Sequence, residues 1–262
     1  MSQHPFSGKT TLITGGSGGI GFELARLFLR AGSKVILIGS SAKKLEEASN
    51  RLEKEFGAKI ITLAKDLSPS SASREVFEVT QKWPAPVDIL VNNAGFGISG
   101  YFHSMPELEL FKMVRLNTHT VLELTRLYLP GMVERGFGRI LNVASTAAFQ
   151  GIPIEAAYAA SKAFVLTLSE GLHDELKSKG VGVTCLCPGP TETSFFTRGS
   201  INASTVIKRV MMSPEAVAKT GFNALIKQKP VVIAGFRNKF MIFTERFAPR
   251  KWVTKIARKM VE

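Results

Sequence analysis

The stretch Thr10-Thr11-Leu12-Ile13-Thr14-Gly15-Gly16-Ser17-Gly18-Gly19-Ile20-Gly21 decides how the rest of the chain is read. Thr10 to Thr14 is short, apolar and rich in β-branched residues, which predicts a strand, whereas Gly19 to Ala31 repeats its apolar residues at helical spacing. The glycines between them let the backbone turn sharply and approach a ligand closely. The start of the helix adds unpaired N–H groups and a partial positive charge. Strand, glycine turn and helix in this order form a nucleotide-binding hypothesis; without the flanking elements the same glycines read as a flexible surface turn.

Working outward, the alternation repeats. Strands are expected at Thr10 to Thr14, Lys34 to Ile38, Ile60 to Ala64, Ile89 to Asn92, Arg139 to Val143, Gly182 to Leu186 and Val231 to Ala234. Helical patterns lie at Gly19 to Ala31, Ala42 to Phe56, Ser71 to Trp83, Leu108 to Glu134, Ile154 to Ser178 and Pro214 to Lys227. Gly32, Gly57 and Gly180 follow helix ends, and Ser213-Pro214 opens one. Repeated βαβ units require right-handed crossovers. The expectation is an α/β fold with a doubly wound Rossmann-type sheet of about seven parallel strands and helices on both faces.

At 262 residues and 45% hydrophobic composition the chain can bury a full core, and one domain over 1–262 is expected. The formal charge of +13 and pI near 9.9 point to an anionic partner. The two cysteines, Cys185 and Cys187, would share one face of a strand. They offer neither a disulfide framework nor zinc spacing, so a reduced, cytoplasmic setting without a metal is the simpler reading. The polar N-terminus has no apolar signal core, and nowhere do about 18 apolar residues run together.

A second stretch carries the chemistry. From Ser145 to Lys162 the chain places a hydroxyl, a phenol and an amine in order. Tyr158 and Lys162 are four apart in an Ala-rich helical run and leave the same face. A neighbouring ammonium is expected to lower the phenol pKa from about 10 by roughly 1–3 units and so to suit it to proton transfer. Ser145 ends an apolar run, where a strand's carboxyl end would present its hydroxyl to a ligand. Alone, such a Tyr and Lys are more often a solvated surface pair.

Together these motifs resemble the short-chain dehydrogenase/reductase family in its simple single-domain form, over about residues 8 to 193. The resemblance implies that Thr14 to Gly21 is the cofactor turn, with Gly15, Ser17, Gly18, Gly19, Ile20 and Gly21 at the cofactor. Asp66 and Leu67 would lie at the adenine, and Asn93, Ala94 and Gly95 of Asn92-Asn93-Ala94-Gly95 at the adenosine side. Pro188, Gly189, Thr191 and Thr193 would line the loop after the sixth strand. Asn117, Ser145, Tyr158 and Lys162 would be catalytic, with the last two also holding the cofactor and the Asn117 main chain holding a water of the proton relay. A solvated Asp66, turn-forming asparagines and an Asn117 that merely kinks its helix are the plainer alternatives.

Cofactor choice is expected at the end of the second strand. Gly39-Ser40-Ser41 supplies no acidic side chain to repel a 2′-phosphate, and Lys43 and Lys44 follow. This favours NADP(H) over NAD(H), unless the lysines only decorate an exposed helix face. Residues 194–212, with Phe195, Phe196, Val206, Ile207, Val210, Met211 and Met212, are read as an apolar substrate lid or as cover for the domain's own core. Phe96, Tyr101, Phe102 and Met105 would form the opposite wall.

The segment 236–262 is basic and amphipathic. Trp252, Ile256 and Met260 recur at helical spacing, after Phe240, Met241, Ile242, Phe243 and Phe247. It fits an interfacial helix on anionic lipid or a helix packed on protein. No nucleic-acid recognition fold is evident.

The expected activity is hydride transfer between NADP(H) and a carbonyl or secondary alcohol, with an apolar or lipid-like ketone as substrate, in a homo-oligomer (dimer or tetramer). The competing reading is a cofactor-binding regulatory or membrane-surface protein without turnover.

Overall fold

The computed structural model describes residues 4–193 and 210–261. Seven parallel strands form one sheet in the order β3-β2-β1-β4-β5-β6-β7. They are β1 (Thr10–Thr14), β2 (Lys34–Gly39), β3 (Ile61–Ala64), β4 (Ile89–Asn92), β5 (Gly138–Val143), β6 (Val181–Cys187) and β7 (Val231–Ile233). Each boundary falls within one residue of its sequence expectation. The register places Leu12 beside Ile36 on one side and Leu90 on the other.

Because strand side chains alternate between faces, neighbouring residues enter different cores. Ile13, Leu37, Val91 and Leu141 point to a layer built by α1 (Gly19–Arg30), α2 (Ala42–Phe56) and α7 (Pro214–Ile226). Leu12, Ile36, Leu90 and Ile140 point to the other layer, with α3 (Ala72–Gln81), α5 (His119–Glu134) and the end of α6 (Ala156–Leu176). Both faces are covered, as near-continuous apolar strands require. Local signals set the helix ends. Ser213 accepts from Ala216 N at 3.2 Å to open α7, with Pro214 in its first turn, and Gly57 closes α2 in the left-handed region at φ 63°.

Three expectations are corrected. The single helix expected from Leu108 to Glu134 is two, α4 (Glu107–Asn117) and α5, with Thr118 leaving helical geometry at φ −121°, ψ −67°. The break comes directly after Asn117, whose amide turns inward to bond Phe96 in a distant loop. α6 starts two residues later than expected, after Ile154 at φ 59°. The tail forms two helices, α8 (Phe236–Glu245) and α9 (Arg250–Val261), parted near Pro249.

Residues 194–209 of the expected lid lie outside the described residues. At its far end Met212 pairs with Thr191 in a parallel bridge and packs against the α1–α7 core, so this part covers core.

Candidate active site

The strand order reverses between β1 and β4, and in open parallel sheets the crevice for ligands lies at the carboxyl ends there. The glycine turn leaves β1 at this point, and long-range hydrogen bonds hold it. Asn93 Nδ2 donates to the carbonyls of Thr14 (2.9 Å) and Gly15 (3.1 Å). Thr14 Oγ1 accepts from the N–H groups of Asn93 and Ala94, each at 3.0 Å. Gly15 sits at φ 65°, and a Cβ there would lie 2.8 Å from Asn93 Nδ2, so both its conformation and its space demand glycine. Gly18 caps α1 without a side-chain hydrogen bond, and the space beside it is open. Free helix-terminal donors facing open space fit the diphosphate of a dinucleotide.

The other residues expected at the cofactor line the same edge. Ser17 Oγ lies beside Gly39 at the end of β2, and Ser40 is exposed. Ser41 caps α2 by accepting from Lys44 N at 3.3 Å, and Lys43 and Lys44 are exposed in that helix's first turn. Asp66 is exposed and accepts from Ser68 N at 2.9 Å, while the Leu67 side chain is core. On the opposite rim, Pro188 O accepts from Thr146 N at 2.8 Å and Thr191 Oγ1 donates to Gly189 O at 2.9 Å. A Cβ on Gly19 would stand 2.8 Å from the Thr193 methyl, so the β6 loop reaches back to the glycine turn.

Between these rims lie the proton-bearing groups. Tyr158 and Lys162 leave one face of α6, and both are buried. Lys162 Nζ donates to Val143 O at 3.0 Å and lies 5.9 Å from the Tyr158 ring centre. Ser145 follows β5, accepts from Ala147 N at 3.1 Å, and hydrogen-bonds the Tyr158 side chain. Asn117 Oδ1 accepts from Phe96 N at 3.2 Å, and its Nδ2 donates to Phe96 O at 2.9 Å and Ser161 Oγ at 3.1 Å. Gly95 fits between these groups: a Cβ there would lie 2.8 Å from Asn117 Oδ1 and 3.4 Å from Lys162 Nζ.

The electrostatics correct one expectation. Burial pushes the Tyr158 hydroxyl above its ordinary value, against the pull of its bond to Ser145, and Glu155 adds to the rise. The spacing had suggested a phenol lowered by Lys162. Burial instead pushes Lys162 itself down to about 8, while the cysteines Cys185 and Cys187 nearby pull it the other way. The pair is therefore a protonated phenol beside an amine poised near neutrality.

Several supporting residues carried no local signal. Ser161, Thr120 and Asn238 act through partners elsewhere: Ser161 donates to Tyr158 O at 2.7 Å, and Thr120 to Leu67 O at 2.8 Å. Asn238 donates to Ala234 O at 2.7 Å and packs on Gly189. Beneath the site, Asn92 Nδ2 donates to Asn142 Oδ1 (2.9 Å), and Asn142 Nδ2 to Ser169 Oγ (2.9 Å), which ties β4 and β5 to α6. Glu155, held by Ser99 at 2.8 Å, is buried enough for its carboxyl to titrate above the usual range.

An open sheet that reverses at a glycine turn, with a buried Tyr and Lys and a half-buried Ser across the crevice, is a Rossmann-type arrangement with groups able to transfer a proton. A family model for short chain dehydrogenase matches residues 9–202, and the chain belongs to that family. It is 32% identical over 221 residues to the ketoacyl reductase HetN of a Nostoc species, covering 84% of this chain and 75% of that one. It is 36% identical over 188 residues to the very-long-chain 3-oxoacyl-CoA reductase of Rattus norvegicus, covering 70% of this chain. That match spans 60% of the rat protein's length. Among solved structures, a short-chain dehydrogenase from Sphingobium yanoikuyae in complex with NADPH superposes with a TM-score of 0.81 at 28% identity, over 91% of this chain and 94% of that one. The L-sorbose reductase of Gluconobacter frateurii, complexed with NADPH and L-sorbose, gives 0.78 at 26% identity, over 89% and 98%.

Among the described residues no group of His, Cys, Asp and Glu could hold a metal ion, and no helix is long and apolar enough to cross a membrane.

Proposed function

We propose that the chain is an NADP(H)-dependent oxidoreductase that interconverts a carbonyl and a secondary alcohol, with an apolar or lipid-like ketone as its substrate class. The observation that carries the reading is the convergence of Ser145, Tyr158, Lys162 and Asn117 across the crevice from the glycine turn.

The nicotinamide cofactor, when bound, supplies or accepts the hydride. Gly15 to Gly21 would hold its diphosphate, Asp66 with Leu67 its adenine, and Lys162 its ribose hydroxyls. Asn93, Ala94 and Gly95, with Pro188, Gly189, Thr191 and Thr193, would bound the rest of its site. Ser40, Ser41, Lys43 and the start of α2 present hydroxyls, a cation and helix N–H groups where a 2′-phosphate would sit, which favours NADP(H). The NADPH named with the two reductase structures supports the same choice.

During reduction Tyr158 donates its proton to the carbonyl oxygen, and Ser145 hydrogen-bonds that oxygen and orients it. Lys162 steadies the phenolate left behind. The clamp from Asn117 to Phe96 and Ser161 keeps the start of α6 in place for this transfer. Proton transfer of this kind contributes about 10²–10⁴ in rate. The long-chain substrates in the names of the rat and related reductases support an apolar substrate, as do Phe96, Ile98 and Met105 packed against the Tyr158 cluster. Tyr101 and Phe102 of the expected wall are exposed instead.

We include in this reading a homo-oligomer formed through α4–α6 and a peripheral membrane contact through 236–262. An apolar groove of about 460 Å³ between Val114, Leu122, Ala157 and Phe164, flanked by the exposed Phe102 and Phe111, supports the first. A panel of ketones and alcohols assayed with NADPH and NADH, read by nicotinamide absorbance, tests the reaction. Turnover that survives Tyr158→Phe would overturn the catalytic assignment, and a preference for NADH would overturn the cofactor choice.

A further inference from the structure

The C-terminal helices leave their large apolar residues in water. Phe236, Phe240, Phe243 and Phe247 follow one another at spacings of four, three and four along α8 and just beyond it, and all are exposed, Phe236 at 82% and Phe247 at 76%. Trp252 (65%) and Ile256 (59%) continue the exposure on α9. The rings of Phe243 and Phe247 touch edge to face at 5.3 Å. The buried residues of these helices, Ile242 and Ala257, show that each is seated on the body of the protein by another face. Exposed rings repeated along one helix face, with further exposed apolar residues on the next helix, mark a docking face.

Charge selects the occupant. Residues 236–262 hold eight basic residues, among them Arg246, Arg250, Lys251 and Lys255, against only Glu245 and Glu262, which is close to half of the chain's formal +13. Burial raises Glu245 to about 7, which further weakens the acidic side. A second copy docked face to face would set this cationic patch against itself, since a two-fold contact uses the same surface twice. An anionic lipid surface takes both components: rings enter the headgroup–acyl boundary while lysine and arginine meet lipid phosphates.

The position of α9 adds a consequence. Ala257 packs into the same cluster as Tyr158, Ala147 and Ile152, and Thr254 lies beside Gly151. One helix thus walls the catalytic cleft on its inner side and carries Trp252 and Ile256 on its outer side.

We propose that α8 and α9 dock on an anionic bilayer surface through the Phe236–Ile256 stripe, which sets the apolar wall of the Tyr158 cleft against the lipid that dissolves the substrate. The inference rests on the peripheral contact included in the reading above and gives it a face, a lipid charge and an orientation.

The test uses the full chain with Trp83→Phe, so that Trp252 is the one remaining tryptophan of the two in the sequence. Vesicles of phosphatidylcholine alone are compared with vesicles of phosphatidylcholine and phosphatidylglycerol. The expected result is co-sedimentation with the mixed vesicles at least about tenfold tighter than with phosphatidylcholine, weakened by high salt, with a blue shift of Trp252 emission. In the otherwise wild-type chain, Phe240→Ser with Phe247→Ser and Trp252→Ser should lose at least about tenfold in vesicle affinity while NADPH affinity and circular dichroism stay unchanged. Failure of the folded chain to bind mixed vesicles would overturn the proposal, as would full binding by the triple variant. So would a smaller sedimenting species for the triple variant than for the parent, which would assign the stripe to a second copy. Because vesicle binding is read without turnover, these failures leave the oxidoreductase reading standing, and the ketone panel decides that reading separately.

Discussion

Helices α6 and α9 break the ordinary rule of burial in opposite directions. α6 hides an amine and a phenol, with Lys162 at 5% exposure, whereas α9 shows Trp252 at 65%. Both choices cost stability, since a buried cation loses its hydration and an exposed aromatic ring orders water around it. The remedies differ in range. α6 answers with fixed partners inside the fold: Val143 O for Lys162, Ser145 for Tyr158, and Asn117 and Ser161 around them. Among the described residues α9 is seated by its inner face, with Ala257 in the Tyr158 cluster and Thr254 beside Gly151, while Trp252 and Ile256 stay exposed; the proposed bilayer contact would cover them. The two helices thus carry the two features on which the proposals rest, a buried ionisable pair on α6 and an exposed apolar surface on α9.

The contrast is most sharply broken at Tyr158. Tyr158→Phe should lower turnover by about 10²–10⁴ with NADPH affinity unchanged, measured by steady-state kinetics and cofactor titration. A loss confined to KM would remove the phenol from proton transfer. Lys162→Met should lower turnover by about 10² or more yet leave Tm unchanged or raised, because it removes an ion that burial penalises.

Lys162 also predicts opposite pH trends for activity and stability. Its folded value of about 8 lies below its ordinary 10.5, so the unfolded chain holds more protons between these values. The stability it contributes is therefore fully present above 10.5 and is lost as pH falls through about 8. Turnover needs the ammonium, so kcat/KM for reduction should fall as pH rises through about 8. Rate profiles and denaturant unfolding over pH 7–10 should diverge, and Lys162→Met should abolish this residue's part in both; parallel trends would refute the assignment.

Smaller effects follow from the supporting residues. Asn117→Ala strips two hydrogen bonds from Phe96 and one from Ser161, and it should cost about 1–3 kcal/mol in urea unfolding. The smallest effect belongs to the other side of the contrast. Phe240→Ser or Phe247→Ser should change stability in solution by no more than about 0.5 kcal/mol, since neither ring is packed in the core. A loss of several kcal/mol there would mean that the stripe is structural.

Much of this was legible in the sequence where a residue and its signal are local. The strands show as short β-branched runs, and Gly57 and Ser213 mark their own helix ends. The candidate catalytic residues are readable because Ser145 ends a strand, Tyr158 and Lys162 share a helical face, and the family motifs single them out with Asn117. The features without a local signal depend on partners far along the chain. The periodicity of Leu108 to Glu134 runs through Asn117 without interruption, and the break at Thr118 stands where the Asn117 amide reaches back to Phe96, a partner that the local pattern does not reveal. Thr14 and Asn93 are placed at the cofactor by their motifs, but the hydrogen bonds by which they tie the turn to β4 appear only once the two strands are brought together. The four-residue spacing of Tyr158 and Lys162 gave their shared face, whereas the direction of their pKa shifts comes from how deeply the fold buries them.

The parallel topology of the sheet has a practical consequence for labelling. Every candidate site residue lies toward the carboxyl ends of the strands, so the turns that feed their amino ends lie on the far edge. Gly57, between α2 and β3, is one of these, with open space around it. A fluorophore or a short peptide inserted there would report on the whole molecule from a position remote from both the catalytic crevice and the C-terminal stripe.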